Sequence, residues 1–440
     1  YYNLTFNGSG GTWDLDANLD VNSTLTMTNG TLDLNGYNLD LTGATFSNSS
    51  TLRLQGGETL TAFTNDTDSG TVVYDGTSSY SSLAAGNNYY NLTFNGSGGA
   101  WNSGGNMDVN GALTLTNGTL DLNGYNLDLT GGSFVNNSTL RLQGAETLTA
   151  FTNDTDSGTV VYDGTGTYTS LAAGANYYHL QFNGSGGSWA AIADTDVDGN
   201  LTITSGTFKD GGKTVYLAGN WSNSGTFTPT GTLYLNGGNQ TISGSSTFNN
   251  ITKTPSSQQT LTFENSQTQT VNGTLTLKGV SSDSRLLLRS NSNGTAWKMN
   301  PTGTRSVEYL DIKDSNNLNS TEIQCTSGCA DSGGNTRWLF ALPSSTNNAS
   351  TNNTSIDQTL RIIPPPSFFS PVFVPQFNLI TLPVAFQLSR VAPAIPYSPQ
   401  KSSLSKPQIP TKETDFKVYQ LLEDSNDFSA PHNDENNIEK

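Results

Sequence analysis

Tyr1-Tyr-Asn-Leu-Thr-Phe-Asn-Gly-Ser-Gly-Gly11 recurs unchanged at Tyr89–Gly99 and, slightly altered, at Tyr177–Gly187. Both intervals are 88 residues. Residues 1–88 and 89–176 agree at 70 of 88 positions without insertion or deletion. A chain that copies itself this closely is extending a surface, so the repeat has to be read before anything else. Inside each copy the apolar residues alternate with polar ones, as in Leu25-Thr-Met27, Leu32-Asp-Leu34, Leu39-Asp-Leu41, Leu52-Arg-Leu54 and Val72-Val-Tyr74. Period-two alternation puts one set of side chains on each face of a strand. Asn-Gly, Asp-Gly, Ser-Gly and Gly-Gly pairs between the segments supply the positive φ angles of tight corners. No window carries a 3.6-residue apolar stripe, which makes the chain all-β.

An all-β repeat of 88 residues fits a string of immunoglobulin-like sandwiches or a β-solenoid. The third copy decides between them. It holds register through Trp189, Asp196, Leu201 and Gly206, then drifts after Gly219, and material like later parts of the repeat arrives early at Gly231–Gly237 and Phe248–Thr252. A sandwich that loses a third of its strands no longer closes, whereas a solenoid drops a coil at little cost because each coil touches only its neighbours. No linker precedes Tyr177 either: Leu171-Ala-Ala-Gly-Ala-Asn leads straight into it. At about 20–25 residues per coil, residues 1–340 predict on the order of 15 coils and roughly 70 Å of length.

Apolar residues make up 33 % of the 440, against the usual 45–50 % or so. Such a composition supports a thin core in a long stack. Arg53 and Arg141 are the only basic residues before Lys209, while residues 1–208 hold 19 Asp and Glu, a net charge of −17. The remainder balances to zero, so the repeats carry the whole charge. An acidic body repels phosphate backbones, which argues against nucleic acid as a partner. No apolar stretch is long enough to span a bilayer as a helix, and no signal peptide is apparent. The chain opens in phase with its own repeat and without Met, which reads as a mature protein or a piece of a longer one.

Gly30-Thr-Leu-Asp-Leu-Asn-Gly-Tyr-Asn-Leu-Asp-Leu-Thr-Gly43 and Asn239-Gln-Thr-Ile-Ser-Gly-Ser-Ser-Thr-Phe-Asn-Asn-Ile251 resemble bacterial β-strand-repeat surface proteins, which are adhesin-like and similar in style to filamentous haemagglutinins and autotransporter passengers. The resemblance covers about three quarters of the chain. It implies a right-handed parallel β-helix (a β-solenoid), export, and an extracellular or cell-surface location. Residues 1–266 form the repeat solenoid on this reading. Residues 267–340 resemble a terminal β-helix module through Gln269–Leu277, Leu288-Arg-Ser290, Val307–Asp311 and Gly334–Phe340. Beyond it lie a polar Ser/Thr/Asn-rich linker at 341–359, a Pro- and Phe-rich segment at 360–399, and a charged tail at 400–440 that composition marks as disordered. The 360–399 segment reads as an extended linker, or as a site that docks an outer-membrane or cell-wall anchoring partner.

Cys325-Thr-Ser-Gly-Cys329 reads as a small loop-closing disulfide in an exported protein. A metal site there would need further ligands, and the only histidines, His179 and His432, are distant in sequence. Asp194-Thr-Asp196-Val-Asp198-Gly199 opens like a calcium loop, three carboxylates followed by a sharp turn. It then fails at Ser205, where the bidentate Glu should stand, and the alternating Asp read equally as a strand's wetted face. Thr-Asn-Asp-Thr-Asp-Ser-Gly, with Asp66/Asp68 and Asp154/Asp156, reads as an Asx-type turn or a weak cation site. The recurring Trp13, Trp101 and Trp189, with the Tyr pairs at 1/2, 89/90 and 177/178, read as core plugs, with a glycan-stacking row as the alternative.

Parallel β-helices also host polysaccharide lyases and glycoside hydrolases. Sugar hydrolysis needs two carboxylates about 5–10 Å apart, one of raised pKa. No pair stands out in the sequence, and neither a Ser-His-Asp nor a Cys-His arrangement is available. The sequence therefore predicts a secreted or surface-displayed stalk or adhesin without catalysis and without a cofactor, calcium aside. Its partner would be a host or neighbouring-cell surface, glycans included. The alternative is a carbohydrate-active β-helix enzyme, and carboxylates converging beside a basic residue would favour it.

Overall fold

The computed structural model describes residues 1–325 and 327–340; the linker, the Pro- and Phe-rich segment, the charged tail and His432 lie outside them. The described chain is an all-β parallel solenoid of about 16 turns without a helix. Alternation builds each coil as read. In Thr24–Asp33, Leu25 and Met27 turn inward and are fully buried while Thr24 and Thr26 line the outside. Asn-Gly makes the corners: Asn35 and Gly36 both take positive φ (49° and 85°), as do Asn123 and Gly124 (50° and 84°), and the Tyr37 amide closes the turn on Leu34 O at 2.8 Å. Glycine meets that demand without strain, and Asn tolerates it better than other residues. The inward residues form one continuous apolar cluster from Leu19 to Trp338. Stacking neighbours, and not any single coil, buries it.

The coils share a 21-stranded main sheet whose long strands have two arms. In Asn3–Asp14, for instance, Leu4 lies on the first arm and Trp13 on the second. A narrow side face completes each coil. In the first block it comprises Leu19–Asp20, Leu39–Asp40 and Leu60–Thr61; in the second, Asn88–Tyr89, Met107–Val109, Leu127–Asp128 and Leu148–Thr149. Four coils make one block, but the blocks do not stack in line. The column begun by Trp13 passes through Leu32, Leu52 and Val72 to Leu92, and Leu92 is the counterpart of Leu4. Trp101 leads in the same way through Leu120, Leu140 and Val160 to Leu180. Each block thus hands its second arm to the first arm of the next.

The loop Thr64–Gly70 produces this sideways step by closing the first arm's ladder. Asp66 Oδ2 accepts from the Asn48 amide at 2.9 Å, and Ser69 Oγ donates to Asn48 O at 2.9 Å. Asp154 and Ser157 do the same to Asn136. The loop sequence is absent from the third copy, and there the handover stops. The side face then runs unbroken through seven strands from Asn176–Tyr177 to Thr304–Glu308. Both ladders pass residues 266 and 267 without interruption, since Gln259–Phe263 and Thr268–Val271 stack between the coils on either side.

Trp101, Trp189 and the inner tyrosines are core, and Trp13 packs half-buried against it. Trp101 and Trp189 are fully buried and donate their indole N–H to Gln55 O and Gln143 O at 3.0 and 2.8 Å. Tyr80 and Tyr168 stack on them. Tyr89 and Tyr177 pair their hydroxyls with those of Tyr74 and Tyr162, and burial pushes all four phenols well up. Cys325 and Cys329 are disulfide-bonded, with 6.0 Å between their Cα atoms.

Candidate functional site

Two kinds of outward feature recur from block to block. The first is a carboxylate cluster around each early arginine. Asp33, Arg53 and Asp75 come from three successive coils, and the Arg53 guanidinium lies 3.5 Å from both carboxylates. In the second block Arg141 lies 3.6 Å from Asp121 and 3.2 Å from Asp163. A buried glutamate completes each group by accepting backbone amides: Glu58 from Gln55 and Gly56, and Glu146 from Gln143, Gly144 and Gly124. Partial burial raises the Asp75 and Asp163 carboxyls, and the negative charges of Asp33 and Asp121 add to the shift against the opposing arginines. Asp163 is pushed up to about 6. A carboxyl held there can carry a proton near neutrality, the first requirement of a general acid.

Sequence reading missed this cluster because its members come from separate coils. A signal was present nonetheless: the only two basic residues of the first 208 occupy the same repeat position, one coil from an Asp on either side. The third copy has Lys209 where Asp121 stands, and the cluster is not repeated.

The second feature is a shallow polar trough along the side face. In the first block two outward columns line it, Asp20–Asp40–Thr61 and Asn18–Asn38–Thr59, around a depression of about 320 Å³. The second block repeats it as Asp108–Asp128–Thr149 and Asn106–Asn126–Thr147, around about 340 Å³. The asparagines stitch the coils through their carbonyls: Asn18 Oδ1 accepts from the Asn38 amide at 2.9 Å and Asn38 Oδ1 from the Thr59 amide at 2.8 Å. Asn106 and Asn126 do likewise. Their NH₂ groups donate to no partner among the described residues. Asp40 and Asp128 accept from the backbone and hydroxyl of Thr42 and Thr130, which holds both carboxyls below the usual range.

In the third block the same two columns change character. Asp194, Thr214 and Thr232 form one, and Asp196, Tyr216 and Tyr234 the other. Asp194, Asp196 and Asp198 alternate with buried Thr195, Val197 and Gly199, so all three point outward from one strand. Asp194 Oδ1 accepts from the Thr214 amide at 2.9 Å, and Asp196 is raised by partial burial and by Asp198. No group of three metal-ligating side chains converges among the described residues. Asp66 and Asp154 form Asx turns, their Oδ1 atoms accepting from the Asp68 and Asp156 amides at 3.0 and 2.9 Å. His179 Nδ1 accepts from the Asn200 amide, and burial lowers its pKa.

Lys253 is fully buried, pointing into the core, and donates to Gly237 O, Gly238 O and Gln240 Oε1 at 2.6–3.0 Å. Burial lowers it to about 8. It closes a corner whose carbonyls would otherwise be orphaned.

The chain matches no family model, no curated protein and no solved structure.

Proposed function

We propose that this protein is an extracellular structural or adhesive β-solenoid, a stalk or adhesin that displays a repeated polar surface and performs no catalysis. The observation that carries the reading is the duplication of the side-face trough, with the same Asn, Asp and Thr columns presented four coils apart. Duplicated shallow surfaces add avidity when a partner is itself repetitive. The resemblance to β-strand-repeat surface proteins supports the same reading, with a host or neighbouring-cell surface as the partner and the 360–399 segment as the place for an anchoring partner. Calcium plays no part in this reading, and the Asp194 carboxylate accepts from the amide of the next coil.

One observation favours a second reading, a carbohydrate-active β-helix enzyme of the polysaccharide lyase or glycoside hydrolase kind. Asp163, raised to about 6, lies beside Arg141 with Asp121 and Glu146 close by. Against it, each arginine ties neighbouring coils together through both of its carboxylate partners. Two measurements on the full chain separate the readings. Beads coated with it should adhere to cells, and incubation with a panel of polysaccharides should release no new reducing ends and no unsaturated uronate absorbance. Product release that Asp163→Asn abolishes would replace the adhesive reading with the enzymatic one.

A further inference from the structure

We propose that the side-face troughs are binding subsites for a neutral, hydroxyl-rich polysaccharide, with the Tyr216/Tyr234 pair as the stacking platform of the third block. The inference deepens the adhesive reading and rests on it. It starts from what the columns leave unpaired. In the first block the side-chain NH₂ groups of Asn18 and Asn38, the Thr59 and Thr61 hydroxyls and the Asp20 carboxylate have no protein partner among the described residues, and all are outward-facing. The second block leaves the same groups free at Asn106, Asn126, Thr147, Thr149 and Asp108. Side-chain amide donors in one column thus lie beside carboxylate and hydroxyl acceptors in the other, each repeating at the coil spacing of about 4.8 Å. A sugar hydroxyl both donates and accepts, and a polymer presents such groups at regular intervals, so the two arrays match. The surrounding charge of the repeats repels polyanions and leaves neutral chains as the class admitted.

The third block supplies an independent observation. Where the repeats place Asp128 and Thr149, it places Tyr216 and Tyr234, half-buried on the outer side of the strands with ring centroids 5.7 Å apart. The Tyr234 hydroxyl hydrogen-bonds with Thr254 Oγ1 at 3.2 Å. Their strand neighbours Val215, Leu217, Leu233 and Leu235 fill the core, so these tyrosines are not needed there. The two rings, tilted 56° to each other beside Asp194 and Asp196, offer apolar faces bordered by carboxylates, against which the apolar face and hydroxyl rim of a sugar ring can pack.

Native affinity electrophoresis of the full chain tests this, in gels containing soluble mannan, dextran or xyloglucan, with heparin and alginate as polyanions. At least one neutral polymer should retard the chain and neither polyanion should. The double variant Tyr216→Ala/Tyr234→Ala should weaken retention about tenfold, the loss of a contact worth about 1.4 kcal/mol. Asp20→Ala/Asp108→Ala should weaken it as well, and both variants alter only outward side chains, so circular dichroism should be unchanged. Retardation by polyanions alone, by no polymer, or equally for wild type and both folded variants overturns the proposal. Cell adhesion by the same beads separates its failure from that of the parent reading. Adhesion without polysaccharide retention removes the troughs as sugar sites and keeps the adhesin, whereas absence of adhesion in the wild type removes the adhesin itself.

Discussion

Asp163 shares Arg141 with Asp121, and the partial burial that lifts its pKa to about 6 has a consequence for stability. The unfolded chain releases this proton near the ordinary value of 3.8. Between the two values the folded state binds more protons than the unfolded one, so this group's contribution to stability falls as pH rises from about 4 to about 6 and is level above. Asp163→Asn keeps the shape and removes the titration. Urea midpoints measured at intervals from pH 4 to 7 should decline less steeply for the variant, and equal slopes would remove the cluster as the cause. Asp75, raised for the same reasons in the first block, should behave in the same direction. At this scale the inward or outward sense of each side chain was legible from alternation, and so was the burial of Trp101 and Trp189. The Asp163 environment was not, because it depends on Asp121 and Glu146 reaching the same point from earlier coils.

The loop Thr64–Gly70 shows what a local motif conceals. Its Asx turn could be read from Asp66, Asp68 and Ser69 alone, since the turn's bonds fall within three residues. Its second task could not, because the other carboxylate oxygen of Asp66 caps the amide of Asn48, which only the coil's closure brings near. Asn48 is 1 % exposed, so its amide has no water to fall back on when the carboxylate is removed. An unsatisfied buried donor costs about 1–3 kcal/mol. Asp66→Ala and Asp154→Ala should therefore speed amide hydrogen exchange at Asn48 and Asn136 by roughly tenfold or more, with little change in the distant coils, because such openings are local. Exchange that stays at the wild-type rate would mean that the Ser69 and Ser157 hydroxyl bonds hold the arm closed unaided. The sideways step between blocks was illegible for the same reason: the copies are alike in sequence, and only the pairing of Leu52 with Val72 and of Val72 with Leu92 shows that equivalent residues do not stack on one another.

At the scale of the described solenoid, the 88-residue period is a unit of assembly because its two ends make the same junction. Thr71–Tyr74 lies beneath Asn91–Phe94 just as Thr159–Tyr162 lies beneath His179–Phe182, and Tyr74 pairs with Tyr89 as Tyr162 pairs with Tyr177. Deleting residues 89–176 joins Asn88 to Tyr177 and offers the third block the lower surface it already has: Val72 for Val160 under Leu180, and Tyr74 for Tyr162 under Phe182. The shortened chain should fold, keep the far-ultraviolet spectrum of the parent, and lose roughly 19 Å of length in small-angle scattering, four coils at about 4.8 Å each. A deletion half as long, residues 89–132, does not preserve this junction. It sets Ser133–Asn136 where the long strand Asn91–Asn102 belongs and removes Trp101 from its place above Gln55. Nearest-neighbour stability makes such a fault local in position but full in cost, since the mismatched interface has no other partner. The half-block deletion should therefore unfold at lower urea than the whole-block deletion despite retaining more of the chain. The reverse order would show that stability follows the number of coils and not the match between them.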